Sequence, residues 1–179
     1  NCKSIVIHNG ADIKRIRSIL IDDINEIRKR HNFGKKFIYG CIGNFGPWMN
    51  LGFIINSFLK MKENVQDCAL LIVGPGIEIE KYKNKNSNPD IIFTGSVSHS
   101  DIDKYFNAID VGLIANIVND FQNVAFHIKV IEYTAAKKPV VASPLKEIRR
   151  INLPNIILSD LKEDIWVNNM IAARELKWD

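Results

Sequence analysis

Little in this chain marks a specialised class of protein. Its three cysteines, Cys2, Cys41 and Cys68, are an odd number without ligand-like spacing, which argues against a disulfide framework and against a cysteine zinc site. Cys41 and Cys68 fall inside apolar runs, as expected of reduced core thiols in a cytosolic protein. The four histidines show no metal-binding spacing either. The longest apolar runs, Ala69 to Val73 and Val111 to Ala115, are far too short to cross a bilayer. No leader is visible and the first residue is Asn1 rather than Met, so the chain is expected to be part of something longer. Excess charge of either sign is lacking: 24 Lys and Arg stand against 20 Asp and Glu, a net of only +4. The basic clusters at 14–17, 28–30 and 81–85 sit beside acidic or apolar residues, as on solvated helix faces. No nucleic-acid partner is expected, whereas weak attraction to an anionic membrane surface is compatible with this charge.

What is present is alternation. Short apolar runs at 37–42, 69–73, 90–94, 110–115, 139–143 and 155–158 read as buried strands, and 3–8 reads as another, closed by the turn pair Asn9-Gly10. Between them lie helical stripes. Ile13, Ile16, Leu20, Ile24 and Ile27 form one, broken near Asp22, and Leu51, Ile54, Ile55, Phe58 and Leu59 form another. A short basic helix is expected near 77–84. Ser98 to Asp101 reads as a capping box for a helix through Ile109. Helices are expected at 125–137 and 161–177, with a long polar loop at 116–124. Near-continuous apolar strands alternating with amphipathic helices imply a single α/β domain over 1–179, a Rossmann-like parallel sheet with helices on both faces. Ligands bind such sheets at the carboxyl ends of the strands, so the loops after Ile42, Val73, Thr94 and Ala115 should converge on one rim.

The stretch His127 to Pro144, HIKVIEYTAAKKPVVASP, stands out chemically. A helix start aimed at an anion, with Lys129 and a carboxylate, Glu132, one turn apart, suits phosphates and ribose hydroxyls together. The same spacing also makes an ordinary i,i+3 ion pair, and both readings stand at this point. The glycines Gly43, Gly46, Gly74 and Gly95 either let backbone amides approach a ligand or simply turn strands into helices. Asp101 and Asp103 spell Asp-x-Asp, but they open a helix, and no metal is expected there.

The string resembles the donor-binding helix of retaining GT-B glycosyltransferases of the group 1, family 4 kind, which commonly carry Lys-x-x-Glu-Tyr-x-Ala-x-Gly-x-Pro-Val-Val. Four further pieces are similar in order: SIVIHNGAD at 4–12, YGCIGNFGPW at 39–48, LLIVGPG at 70–76 with IIFTGSVSHSDIDKYFNAIDVGLIAN at 91–116, and the closing ARELKWD at 173–179. The resemblance implies the C-terminal, nucleotide-sugar-binding half of a hexosyltransferase that serves capsule or lipopolysaccharide synthesis at the inner face of the membrane. A glycan or lipid-linked acceptor would bind an N-terminal domain absent from this chain, so the chain alone should be inactive. By resemblance Lys129 and Glu132 are the catalytic pair. Gly43, Asn44, Gly46, Gly74, Gly95 and Ser98 join them around the donor, with 95–98 near the base, and neither metal nor cofactor is expected.

The chain departs from that pattern in places. The first carboxylate of the family's Glu-x7-Glu pair falls at Val124, with Asp120 nearby. The basic residues of the first loop are replaced by Asn44 and by Met49 or Asn50, and Lys137 stands where Gly is usual. A signalling module such as a receiver domain would need an acidic pocket that Ile42-Gly43-Asn44 does not offer. A sugar-nucleotide epimerase half would need carboxylates and a histidine not evident here. A degenerate transferase that only binds a partner remains the alternative within the same fold.

Overall fold

The computed structural model describes residue 5 and residues 7–178. Among these, six strands form one sheet: β1 (Phe37–Ile42), β2 (Cys68–Val73), β3 (Ile91–Gly95), β4 (Val111–Ile114), β5 (Val140–Ala142) and β6 (Ile156–Leu158). Every pairing is parallel and the order is β3-β2-β1-β4-β5-β6. The two-residue period of a strand splits each apolar run between two cores. In β2, Ala69, Leu71 and Val73 face one core, and Cys68, Leu70 and Ile72 face the other.

The first core lies under α1 (Ile13–Arg17), α2 (Ile21–Arg30), α5 (Ile102–Ala108), α7 (Ile128–Ala135) and α8 (Lys146–Ile151), through Ile16, Ile27, Phe106, Val130 and Ile148. The second lies under α3 (Leu51–Lys62), α4 (Ile79–Lys83) and α9 (Glu163–Ala173), through Ile54, Phe58, Ile79, Trp166 and Met170. Both faces of the sheet are therefore covered, which is why its strands read as continuous apolar runs. Burial raises the Cys41 thiol well above its usual range, and Cys41 and Cys68 are both free and buried.

Several expectations need correction. The first helical stripe is two helices, separated at 18–20 rather than near Asp22. Half of the strand expected at 3–8, residues 3, 4 and 6, lies outside the described residues. Its described members Ile5, Ile7 and His8 belong to no strand, and Ile5 and Ile7 are exposed. The loop at 116–124 holds a short helix, α6 (Asp120–Val124), whose cap Asn119 accepts a hydrogen bond from the Gln122 N–H at 2.8 Å. Helix α8 was not anticipated at all. Of the Ser98 capping box the structure shows one half, the Asp101 N–H donating to Ser98 Oγ at 3.1 Å. No helix among the described residues is long and apolar enough to cross a membrane.

Lys137 has a definite structural part. It holds φ +56° directly after α7, the Lys138 N–H donates to the Tyr133 carbonyl at 2.9 Å, and the Lys137 N–H donates to Thr134 at 3.0 Å. This is the Schellman ending, in which the left-handed residue is usually glycine. Lys137→Gly should relieve about 1–2 kcal/mol of left-handed strain against about 0.5–1 kcal/mol of added backbone entropy. A net gain of roughly 0.5–1 kcal/mol is expected in urea unfolding. A loss would show that the lysine side chain offsets the strain.

Candidate functional site

The strand order reverses between β1 and β4, since β2 and β3 continue to one side of β1 while β5 and β6 continue beyond β4. The loops leaving β1 and β4 therefore part at the carboxyl edge and open a crevice. Two adjoining cavities occupy it. The inner, of about 250 Å3, lies between the β1 loop, the β4 loop and the start of α7, with Trp48, Met49, Asn116, Phe126 and Ile128 in its wall. The outer, of about 380 Å3, lies towards β2 and β3, against Val73, Pro75, Ser96, Val97 and Ile102. Ile42, Gly43, Asn44 and Lys129 line both. Larger hollows, about 470 Å3 beside Arg28 and about 510 Å3 beside Lys137, lie away from this edge.

Backbone hydrogen bonds zip the loops on the β1 side together. The Gly43 N–H donates to Val73, the Phe45 N–H to Pro75, and the Gly74 N–H to Gly95, at 2.8–3.0 Å. Gly74 takes φ +125° with the Gly43 carbonyl oxygen where a Cβ would stand, and Gly76, at φ +154°, meets the Phe45 backbone in the same way. This packing alters the expected roles of the glycines. The Gly43 amide is already committed, and the Gly46 N–H donates to Asn44 at 3.0 Å while the Trp48 ring fills its Cβ position. Neither faces the crevice as a free donor. The Asn44 N–H, one residue on, has no protein acceptor among the described residues.

Helix α7 closes the other wall. Phe126 stacks on His8 with ring centroids 4.9 Å apart, and His127 Nε2 lies 3.0 Å from the Gln122 carbonyl. A buried network holds the β4 loop in place: Asn116 Nδ2 donates to Gln122 Oε1 at 2.8 Å, and Ser143 Oγ donates to the Asn116 carbonyl at 2.7 Å. Lys129 enters the crevice from the first turn of α7, where the Ile128 and Val130 amides donate to the Phe126 and His127 carbonyls and the helix dipole favours negative charge. Its Nζ sits 2.7 Å from Glu132 Oε2 and 5.3 Å from the centre of the Phe106 ring. The ion pair read from the spacing is thus formed, but at the edge of the cavities, with the Lys129 and Glu132 side chains 33% and 17% exposed. Among the described residues Lys129 is the one Lys or Arg lining either cavity, and neither has a carboxylate.

Of the residues singled out from sequence, the fold brings Gly43, Asn44, Gly74 and Lys129 together, with Glu132 paired behind Lys129. Gly95 braces Gly74. Gly46 and Ser98 line neither cavity, and Ser98 is exposed, its Oγ 2.9 Å from Ser100 Oγ. Val124 is 75% exposed and Asp120 opens α6, so neither supplies a carboxylate to the crevice. Asp101 and Asp103 point to separate cations, Lys104 at 3.7 Å and Arg15 at 3.1 Å. Sequence reading did not single out Trp48, Asn116, Phe126 and Ile128, and met Met49 only as a replacement of a basic first-loop residue. The one signal for Trp48, Met49 and Asn116 was position, in the loops leaving β1 and β4, and Phe126 and Ile128 sit at the start of α7, beyond α6.

A parallel sheet in this order, with its crevice at the reversal, places the chain in the Rossmann-like class. The family model for glycosyl transferases group 1 matches residues 36–171, and the chain belongs to that family. TuaH of Bacillus subtilis (strain 168), a glycosyltransferase assigned to teichuronic acid biosynthesis, is 25% identical over 121 residues, covering 66% of this chain and 30% of TuaH. Among solved structures, HepE of Anabaena in complex with UDP superposes with a TM-score of 0.78 at 18% identity, over 96% of this chain and 48% of HepE. The C-terminal domain of LpcC, a group 1 glycosyl transferase of Francisella tularensis, superposes with a TM-score of 0.70 at 15% identity, over 91% of this chain and 87% of that domain. The chain thus spans about half of HepE and under a third of TuaH.

Proposed function

We propose that this chain binds the nucleoside diphosphate sugar donor of a retaining hexosyltransferase. The diphosphate would lie at the junction of the two cavities, against Lys129, the Asn44 N–H and the first turn of α7. Positive charge and free donors at that point oppose the negative charge that grows on the leaving diphosphate as the glycosidic bond breaks. Glu132 Oε1, which has no protein donor among the described residues, would accept from the ribose hydroxyls. The base would occupy the outer cavity, between the apolar edges of Val97 and Ile102 and the main chain of 74–75 and 96. The sugar would occupy the inner one.

The observation that carries this reading is the single cationic side chain placed where both cavities meet, at the switch point of the sheet. The complexes of HepE with UDP and UDP-glucose support a nucleotide-sugar ligand for this fold. The acceptor would be a glycan or a lipid-linked sugar held outside this chain, in capsular polysaccharide or lipopolysaccharide synthesis at the cytoplasmic face of the membrane. The chain alone would then not turn over, and no metal or cofactor would be needed. Calorimetry with UDP, GDP and ADP, each with and without a sugar, tests the reading. One nucleotide is expected to bind in preference to the others. No binding by any of them to a folded sample would overturn it.

A further inference from the structure

We infer that the inner cavity takes a hexose bearing a methyl group, either the methyl of a 6-deoxy sugar or that of an acetamido group. This rests on the assignment of the diphosphate to Lys129. Trp48, Met49, Phe126 and Ile128 contribute aromatic carbon, a thioether and branched carbon to the cavity wall. Part of its polar lining is committed to protein, which leaves the Asn44 side-chain amide, Asn116 Oδ1 and His127 Nδ1 without a protein partner among the described residues. Asn116 Nδ2 donates to Gln122 Oε1, His127 Nε2 is engaged with the Gln122 carbonyl, and Lys129 is paired with Glu132.

No carboxylate among the described residues lines this cavity, so a sugar's hydroxyls would meet the Asn44 and Asn116 amides and His127, groups chemically unlike the Met49 and Ile128 side chains. Val124, where the family pattern places one, is solvent-exposed, and Asp120 lies outside the cavity. A hydroxyl turned towards Met49 or Phe126 would give up its water without return. A methyl there is dehydrated favourably, and a flexible methionine adapts to its shape.

The test is calorimetric, on pairs that share one nucleotide and one ring configuration: UDP-N-acetylglucosamine against UDP-glucose, GDP-D-rhamnose against GDP-D-mannose, and GDP-L-fucose against GDP-L-galactose. In at least one pair the methyl-bearing sugar should bind about 10-fold tighter or more. Which pair responds separates the deoxy source from the acetamido source. Met49→Gln should bring that ratio towards one. Equal or reversed affinities in every pair would overturn the inference, as would a preference for UDP-glucuronate over UDP-N-acetylglucosamine. The free nucleoside diphosphates keep the two readings apart: if they bind without any sugar preference, only this inference falls. If they do not bind, the donor reading falls and takes this one with it.

Discussion

Lys129→Ala is expected to weaken nucleoside diphosphate binding about 10- to 100-fold, from the loss of charge-assisted hydrogen bonds worth about 1.5–3 kcal/mol. The fold should survive, because the lysine is one third exposed and its partner Glu132 lies near solvent. The substitution removes more than an attraction. It also leaves Glu132 unpaired beside the anion, so its carboxylate would repel what the lysine attracted. Glu132→Gln separates these effects. Pyrophosphate, which has no ribose, should bind the Gln variant more tightly than the parent chain, because Lys129 is released from its partner. The nucleoside diphosphate should bind it less tightly, because the ribose loses an acceptor. A double-mutant cycle read by calorimetry should therefore be non-additive, as for residues in direct contact. Unchanged UDP, GDP and ADP affinities in Lys129→Ala would place the anion elsewhere on the molecule.

Gly74→Ala is expected to cost about 3 kcal/mol or more, which for a chain of this size lowers Tm by roughly 10 °C. Two causes combine. At φ +125° a side chain is strained wherever it points, and here its Cβ would run into the Gly43 carbonyl oxygen. Backbone cannot move aside as a flexible side chain can, so the β1 and β2 loops would have to separate. That would break the bonds from Gly43 to Val73 and from Gly74 to Gly95. Ligand binding should fall with stability, since Asn44 is held by the same loops. Gly10→Ala is the control. Among the described residues nothing lies within 4 Å of its Cβ position, and it is not in the left-handed region, so its effect should stay within about 0.5 kcal/mol. Equal melting temperatures for the two variants would show that the loops are not zipped in solution as described here.

The strands were legible for a physical reason. A strand buried on both faces must be apolar at every position, and 37–42 and 69–73 could hardly read as anything else. The helices were legible where they bury a full stripe, as α3 does through Ile54, Ile55 and Phe58. Legibility failed for short elements. Helix α8 is only six residues long, mostly charged, and buries Ile148 alone, too little for a periodicity to show. Helix α6 is five residues of polar sequence held by its Asn119 cap and the Asn116–Gln122 hydrogen bond, a contact between side chains that no local pattern encodes. The break between α1 and α2 was misplaced because the apolar spacing from Ile16 to Leu20 continues across it. Of the run at 3–8 only residues 5, 7 and 8 are described; they belong to no strand, and Ile5 and Ile7 are exposed.

The candidate site divides along the same line. Lys129 and Glu132 lie one helical turn apart, and that separation is local, so their pairing could be read directly from residue types and spacing. Class and family were legible in the same way, because they reside in the order of apolar runs, turns and motifs along the chain. Long-range packing settled the rest. Six parallel strands can be laid in many orders, and the reversal between β1 and β4 brings residues 43–49 against residues 116–129. The zipping of Gly43 to Val73 consumes the amide that the glycine pattern pointed to and leaves the Asn44 N–H without a protein acceptor among the described residues. Which backbone donor faces a ligand depends on which of its neighbours has already found an acceptor, and those acceptors come from strands about thirty residues apart.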